Sequence, residues 1–518
     1  MKRTLAIAVA TALGALASSA EAVMLNPRGT GQVLIYPYYT VNHQQTLVSV
    51  INTTAHGKAL KVRFREGYDG RDVANFNVYL GPYDSWVGAV FDTSSDGTGA
   101  AAIATNDNSC TVPAFPLAPV PGTLHALAFS NANYSQGIYG TPTGTDHGPL
   151  GVARTREGFF EIIEMGGVVD QATGSAKTLE AITPVNGKPP GCAQVRDAWA
   201  PSGYWTTNVT TDLLPPAGGL YGAAGIVNVA LGTLYAYDAT AIDGFSDVVQ
   251  NSAPENPKPN LATAITDPAH DIATAYVPIG NTMVKADYPA STRGIDAVSA
   301  ALMADALYNE YDIEAQTGAS SDWLIALPTK QFYVDPGIVG FHADDYLPPF
   351  EALFGAGIPN TGGDAGYSCA AVDAEFRNRE AYLEMQTICG VPMVSPGNYL
   401  CYEAQVVTIG SDSFDPSSSV LKSALIDPLY VLGCGARASL SSASGNLKVS
   451  LSGPYSPHAL RASLTGATFV GLPALGFLAT NFINANVAPG VLSNYSGVYP
   501  HRSTESCTNS TNPQSACQ

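Results

Sequence analysis

The 518-residue chain is 46% hydrophobic and only 13% charged, has a formal net charge of −19, and is rich in Gly (51), Pro (36) and Tyr (26). This composition is typical of a folded protein with a real core, which excludes a disordered acidic tail, and the shortage of Lys and Arg excludes nucleic-acid binding. Short elements separated by Gly and Pro predict a mainly β fold: β-sandwich domains with long loops and one or two short helices.

Residues 1–22 have the pattern of a cleavable export signal. Basic residues at positions 2 and 3 precede an apolar stretch at 5–17, and a small-x-small cleavage site ends at Ala22, which predicts a mature chain that begins at Val23. The stretch is shorter than the roughly 20 apolar residues of a membrane span, so we predict no transmembrane segment in the mature chain. The expected location is extracellular or at the cell surface, with the periplasm as the alternative.

The first strands are predicted from apolar runs. Residues 33–39 form an apolar and aromatic run broken by Pro37, which predicts an edge strand or a strand with a bend, because proline cannot donate to a β-ladder. Further strands are predicted at 47–51, 76–80 and 86–91. Between them, apolar side chains alternate with basic ones, and this period of two predicts a strand with one buried face and one solvated basic face: Leu60, Lys61, Val62, Arg63, Phe64, Arg65.

The middle of the chain predicts a domain boundary. A buried strand is expected at 159–165, and a hairpin around Gly232. Residues 251–260 contain three prolines and are the best linker candidate. We therefore predict an N-terminal β-sandwich domain at 23–250, with long loop insertions, and a second β-rich domain at 261–518.

The second half gives mixed signals. Apolar residues at helical spacing behind Asp296 predict a helix over 296–311. Residues 370–382 fit the helical and the strand period equally well. Strands are expected at 323–327, 331–334, 402–409, 447–451 and 467–472, and the polar tail is expected to be held by its cysteines.

Eight cysteines lie after the export signal: Cys110, Cys192, Cys369, Cys389, Cys401, Cys434, Cys507 and Cys517. An even number of cysteines in an exported chain indicates disulfides, and no metal-binding spacing such as C-x-x-C occurs. The sequence leaves 105 connectivities open. The candidate pairs are Cys507 with Cys517, Cys389 with Cys401, and Cys110 with Cys192.

Calcium is the one ligand that the loops suggest. Acidic side chains sit in turn-rich segments where oxygen ligands can converge: Asp92, Asp96, Asp107, Asp412 and Asp415. None of these segments matches a complete calcium-loop motif, and Asp is also an ordinary turn residue. No other cofactor is expected.

No motif of catalysis stands out. Ser419 and Lys422 match S-x-x-K, but the companion motifs are absent. Three glutamates at 157, 161 and 164 surround a predicted strand. Paired carboxylates suit glycosidase chemistry, although a solvated strand face is the simpler interpretation.

Residues 47–86 resemble Ig-like modules of bacterial surface proteins, in which a V-x-N-T strand end precedes an alternating strand. Residues 156–166, 232–245 and 322–335 look like segments of uncharacterised secreted proteins of Gram-negative bacteria. The resemblance covers less than a quarter of the chain. It implies a secreted, Ig-like β-rich fold and no particular activity.

These patterns favour a non-enzymatic, secreted structural or adhesive protein at the cell surface, which self-assembles into filaments by β-strand addition with residues 23–39 as donor. Its partners would be further copies of itself or surface glycans. The alternatives are a secreted hydrolase of glycans or esters, and a carbohydrate-binding protein that stacks sugars on its four tryptophans: Trp86, Trp199, Trp205 and Trp323.

Overall fold

The computed structural model describes residues 22–116, 125–135, 146, 148–170, 173–340, 342, 345–354, 367–384, 387–388, 391–392, 398–409, 419–425, 442–454, 456–484, 488, 490–491, 493–509 and 512–517. The predicted export signal at 1–22 lies outside these ranges except for Ala22. The described chain is mainly β, as predicted, with several sheets and few short helices.

The described residues of the first half form fourteen strands and four short α-helices. The strands are β1 (Met24–Leu25), β2 (Val33–Thr40), β3 (Gln45–Asn52), β4 (Gly57–Glu66), β5 (Asp72–Leu80), β6 (Ser85–Asp92), β7 (Ala101–Thr105), β8 (Cys110–Val112), β9 (His125–Ala128), β10 (Glu157–Val168), β11 (Leu213–Leu214), β12 (Leu220–Asn228), β13 (Thr233–Asp238) and β14 (Thr240–Asp243). The helices are α1 (Ala132–Ser135), α2 (Thr178–Ile182), α3 (Cys192–Asp197) and α4 (Tyr204–Thr207).

The second half continues with further strands and three helices. The strands are β15 (Ile272–Ile279), β16 (Thr282–Pro289), β17 (Met303–Ala304), β18 (Ala306–Asp312), β19 (Ala319–Ala326), β20 (Ala370–Asn378), β21 (Leu383–Glu384), β22 (Thr387–Ile388), β23 (Val391–Pro392), β24 (Asn398–Leu400), β25 (Ala404–Ile409), β26 (Ser444–Ser450), β27 (Ala467–Val470), β28 (Leu472–Pro473), β29 (Leu475–Phe482), β30 (Tyr495–Pro500), β31 (Arg502–Thr504), β32 (Ser506–Asn509) and β33 (Asn512–Ala516). The helices are α5 (Ala290–Leu302), α6 (Gln331–Val334) and α7 (Pro336–Val339).

Two sheets form a sandwich in the first half. Sheet A has eight strands in the order β1-β14-β2-β10-β4-β5-β8, with β11 beside β10, and sheet B has six strands in the order β13-β12-β3-β6-β7-β9. Leu60, Val62 and Phe64 of sheet A share an apolar core with Val48 and Val50 of sheet B. The alternation in these strands therefore specifies which face turns inward.

Strand β2 is an interior strand, so the prediction of an edge strand at 33–39 was wrong. It lies between β14 and β10 in sheet A. Pro37 is tolerated because β14 pairs with β2 only as far as Ile35, and because the register against β10 shifts between Gly158 and Phe160. This irregularity leaves the proline at a place where no ladder hydrogen bond is needed.

The basic face of β4 is buried, and the prediction that it faces solvent was wrong. Lys61, Arg63 and Arg65 are almost fully inaccessible, because the second half of the chain packs onto this face of sheet A. Arg65 lies over the ring of Phe332, 5.3 Å from its centroid. The Lys61 ammonium donates to the backbone oxygen of Ala253 at 2.6 Å.

Two further sheets organise the second half. Sheet C has the order β25-β19-β29-β30, and sheet D has six strands in the order β21-β20-β26-β18-β31, with β24 beside β20. Sheet C also approaches sheet B, because the Ser496 hydroxyl of β30 accepts from the Leu234 backbone N–H of β13 at 3.0 Å and donates to its carbonyl at 2.9 Å.

The apolar cores contain residues of both halves. Val33 and Ile35 face away from the sandwich and share a core with Trp323 of sheet C. The predicted linker at 251–260 is packed onto sheet A, where the Ser252 carbonyl accepts from the Asn77 amide at 2.8 Å. The second half therefore covers the polar row on β4, where Phe332 lies against Arg65.

Two local predictions in the second half differ from the structure. The helix predicted at 296–311 is observed as α5 only as far as Leu302, and the prediction of helix beyond it was wrong, because strands follow. Strand β18 pairs with both β26 and β31, so pairing overrides the helical spacing there. Residues 331–334 form a single helical turn, α6, which buries Phe332, Tyr333 and Val334 together.

Disulfides join Cys110 to Cys192, Cys369 to Cys401, and Cys507 to Cys517. The first and third are pairings that the sequence suggested. The pairing of Cys401 with Cys389 was wrong, because β24, which ends at Leu400, pairs with the start of β20 and brings Cys401 beside Cys369. Cys389 and Cys434 lie outside the described residues.

None of the described helices has the length and apolar character needed to cross a bilayer. The disulfides are compatible with an exported protein.

Candidate functional site

Three of the predicted calcium ligands, Asp92, Asp96 and Asp107, are among the described residues, and each of their carboxylates already accepts hydrogen bonds. Asp92 accepts from the Arg156 guanidinium at 2.8 Å. Asp96 accepts from the Thr98 hydroxyl at 2.7 Å, and these hydrogen bonds lower the pKa of Asp96 to about 2. Asp107 accepts from the Ser109 backbone and hydroxyl.

Asp412 and Asp415 lie outside the described residues. Within the described part of the chain, no three His, Cys, Asp or Glu side chains come together in a way that could hold a metal ion.

The three glutamates of β10 are buried, and the prediction of a solvated face was wrong. Glu161 accepts from Arg63 at 2.6 Å and Glu164 accepts from Lys58 at 2.7 Å. Both ion pairs lie on strands β10 and β4, so cross-strand pairing brings the charges together. Burial raises the pKa of both carboxyls. These carboxylates are held in structural ion pairs, which leaves no open pair for glycoside hydrolysis here.

The third glutamate, Glu157, fastens a segment of the second half to the sandwich. Its carboxylate accepts from the hydroxyls of Tyr38 and Ser423, both at 2.6 Å, and from the backbone N–H of Ala424 at 2.7 Å. Burial raises its pKa. Tyr38 and Ser423, which are distant in sequence, therefore donate to the same buried carboxylate.

The S-x-x-K motif is also part of this attachment. The Ser419 hydroxyl donates to the buried Asp322 carboxylate at 2.5 Å, and the Leu421 backbone N–H donates to the same oxygen at 2.8 Å. Burial raises the pKa of Asp322 to about 6. Ser419 is itself fully buried, so it serves as an anchor and not as an accessible nucleophile.

A denser buried network surrounds Arg154. Its guanidinium lies 2.8 Å from Glu66, 3.1 Å from Asp146 and 3.4 Å from Asp69, and it stands over the ring of Tyr134 at 4.2 Å. Burial raises the pKa of Asp69, whereas the Arg154 charge holds the pKa of Asp146 below its ordinary value.

The network continues across the two halves. Arg71 is paired with Asp335, and the Lys330 ammonium donates to the Cys401 carbonyl at 2.8 Å. Burial lowers the pKa of Lys330 to about 8 and raises that of the neighbouring Glu403 to about 8. All these groups are buried, so they join the halves and offer no opening to a substrate.

The tryptophans do not form the predicted sugar platforms. Trp86, Trp205 and Trp323 are fully buried. Trp199 is partly exposed, but its indole N–H donates to the Tyr79 hydroxyl at 2.9 Å and its ring packs against Trp205. Their role is in the core, where large aromatic side chains contribute most.

The accessible feature of the first half is the outer face of sheet B, the side turned away from sheet A. The strand register places six residues in one row across the whole sheet: Ala236, Gly225, Leu47, Ala89, Ala104 and Ala126. Small side chains form the floor of a groove of about 750 Å³. Leu47, Val87 and Leu234 are about half exposed along it.

The lining of this groove has no ionisable side chain. Its polar members are Gln45, Ser49, Thr105 and Asn106, and the remainder are apolar. An uncharged apolar face on a chain of net charge −19 is a feature that marks interaction surfaces in soluble proteins. Sequence reasoning missed it, although the outward positions of β3 and β12 could have been read from the alternation that defines the core.

No protein-family model, curated protein or solved structure matches this chain. Function is therefore inferred from the geometry of the described residues.

Proposed function

We propose that this chain is an exported, non-enzymatic structural protein that associates with a second copy of itself through the outer face of sheet B. The observation that carries the proposal is the uncharged apolar groove that crosses five of the six strands of that sheet, β13, β12, β3, β6 and β7. The disulfides support an oxidising compartment. The buried ion pairs of β10 support a structural role for the glutamates that would otherwise suggest a hydrolase.

The shape of the groove suits a second copy. Leu47 lies in the middle of the row, 47% exposed, with Gly225 on one side and Ala89 on the other. A two-fold pairing seats the leucine of each copy over the small residues of the other, which makes the patch complementary to itself. Packing of this kind removes apolar surface from water on both copies.

Charge favours the same occupant. Two copies that each carry a net charge of −19 repel one another wherever carboxylates come close, and the groove is a surface where they meet without bringing charges together. Five strands line the groove, and five strands spaced by about 4.8 Å and about 20 Å long give roughly 500 Å² per copy. The total is therefore about 1,000 Å², below the standard size of a stable interface, so we expect a weak dimer with a micromolar Kd.

This mode of association differs from β-strand addition. The donor segment predicted at 23–39 is already paired within the fold, because β1 pairs with β14 and β2 lies between β14 and β10. Face-to-face packing leaves every strand in place. A dimer formed in this way is a closed unit, and a filament requires a second contact surface on it.

Sedimentation velocity over a range of concentrations tests the proposal. The mature chain should form dimers, and Leu47→Asp should shift it to monomers by placing two carboxylates at the centre of the interface. Because both copies carry the same net charge of −19, added salt should screen their repulsion and strengthen the dimer, whereas a dimer held by ion pairs would be weakened by salt. Met283→Asp is the matched control, since Met283 is 52% exposed on β16 and outside the groove.

A chain that stays monomeric at millimolar concentration would refute the proposal. The same conclusion follows if Met283→Asp weakens association as much as Leu47→Asp does. Circular dichroism of both variants establishes that they are folded.

A further inference from the structure

A second groove runs between sheets C and D, on a different part of the surface. It consists of two adjoining pockets of about 390 and 380 Å³, which share Glu310, Asn446 and Tyr499. One wall is formed by β18 and β26 and the other by β29 and β30. Residues 308–312 follow the groove for about 13 Å at the rise of a β-strand, which is longer than a single sugar ring.

The groove exposes aromatic rings beside planar polar groups. Tyr499 is 47% exposed and Tyr308 is 37% exposed. Glu310, Asn446 and Arg502 line the same pocket as these two tyrosines. An aromatic face next to carboxylate, amide and guanidinium groups is the combination that binds the apolar C–H face and the paired hydroxyls of a sugar.

The backbone that carries Tyr499 is anchored on both sides. The Tyr499 carbonyl accepts from the Asn309 amide at 2.9 Å, and His501 hydrogen-bonds the Leu324 carbonyl at 2.9 Å. A Cβ atom at Gly497 would lie 3.0 Å from the Tyr499 ring, so the glycine leaves space for that ring. An ordered backbone means that only the side chain of the platform loses entropy on binding.

We infer that this groove, which we call the tyrosine groove, binds a neutral oligosaccharide with a sugar ring stacked on Tyr499. The Glu310 carboxylate accepts hydrogen bonds from hydroxyls of the sugar, and the Asn446 amide both donates to and accepts from them, beside the stacked ring. Acidic and basic side chains are both present, so the groove carries no strong excess of one charge and a neutral glycan fits better than an acidic one. This binding is independent of the self-association proposed above, since the two grooves share no residue.

A glycan array followed by titration calorimetry of the mature chain tests the inference. Tyr499→Ala should weaken binding by about tenfold or more, because the stacking contact is lost. Tyr499→Phe should retain binding, because it keeps the aromatic ring. Retained binding by this variant shows that substitution at position 499 leaves the site folded. Tyr495→Ala is the matched control: it is on the same strand, 63% exposed, and lines neither pocket.

The inference is overturned if no neutral glycan on the array binds, or if only acidic glycans bind. It is also overturned if Tyr495→Ala reduces affinity as much as Tyr499→Ala. The dimer measurements with Leu47→Asp are made without glycan, so failure of one proposal leaves the other standing.

Discussion

Replacement of Arg154 by methionine tests whether the buried charges hold the fold together. The arginine is 3% exposed and lies within 3.4 Å of Glu66, Asp69 and Asp146. Removing one partner of a buried ion pair costs about 3–5 kcal/mol, because the remaining charges stay desolvated. Methionine keeps much of the hydrocarbon stem, and loss of the cation–π contact with Tyr134 adds about 1 kcal/mol. We expect the free energy of unfolding to fall by about 4–6 kcal/mol.

Equilibrium unfolding in urea, followed by tryptophan fluorescence at pH 7, measures this loss. Lys285→Met is the comparison, because the Lys285–Asp287 pair is half exposed on its lysine side and should cost less than about 1 kcal/mol. The loss in unfolding free energy for Arg154→Lys should lie between the losses for these two variants, because lysine keeps the charge but lacks the forked donors of the guanidinium. If the unfolding free energies of Arg154→Met and Lys285→Met differ by less than about 1 kcal/mol, the buried charges around Arg154 do not stabilise the fold as proposed.

The pH dependence of the same variant gives a second, independent readout. Arg154 holds the pKa of Asp146 below its ordinary value in the folded chain. A depressed carboxyl pKa contributes stability above the unfolded pKa, and this contribution is lost as the pH falls through the folded pKa. The variant lacks that contribution, so the difference in unfolding free energy between it and the parent chain should narrow towards acid pH.

Two further predictions concern stability. Burial raises the folded pKa of Asp322 to about 6, so between about pH 4 and 6 the folded chain holds a proton on this carboxyl that the unfolded chain has lost. The stability of the chain should therefore fall as the pH rises through this window. In calorimetry, the melting temperature of Asp322→Asn should depend less on pH over the same window. Chain entropy predicts that loss of the disulfide at Cys110, which closes 82 residues, costs about 4.5 kcal/mol, against about 2.7 kcal/mol for the one at Cys507, which closes 10. Calorimetry of the paired Cys→Ser variants that finds equal losses would contradict the entropic account.

The strands of the sandwich could be predicted from the sequence because their pattern is local. The alternation at 60–65 places Leu60, Val62 and Phe64 on the inner face, as observed. The same alternation cannot tell whether the other face meets water or protein. Arg63 and Arg65 are covered by residues far along the chain, such as Phe332, and a contact of that separation leaves no trace in a short window.

The sites were less predictable than the fold, for two physical reasons. Buried ion pairs need both partners, and neither Glu161 nor Arg63 alone differs from a surface charge. The two grooves depend on strand register: Ala236 and Ala126 are far apart in sequence and share one row across sheet B only because six strands align. The sequence offered the tryptophans as sugar platforms, whereas the exposed rings in the second groove belong to Tyr308 and Tyr499.

The interleaved halves impose an order on folding. Arg71 and Asp335 are separated by 264 residues, and at about 5–20 residues per second the aspartate is synthesised roughly 13–50 seconds after the arginine. Until then, the sandwich exists without its cover, and the charged face of sheet A meets water and its own ion pairs, such as Arg63 with Glu161. Hydration of these charges keeps the incomplete sheet from burying the wrong surface. The polar row on β4 thus protects the nascent chain during the interval in which it is most exposed to aggregation.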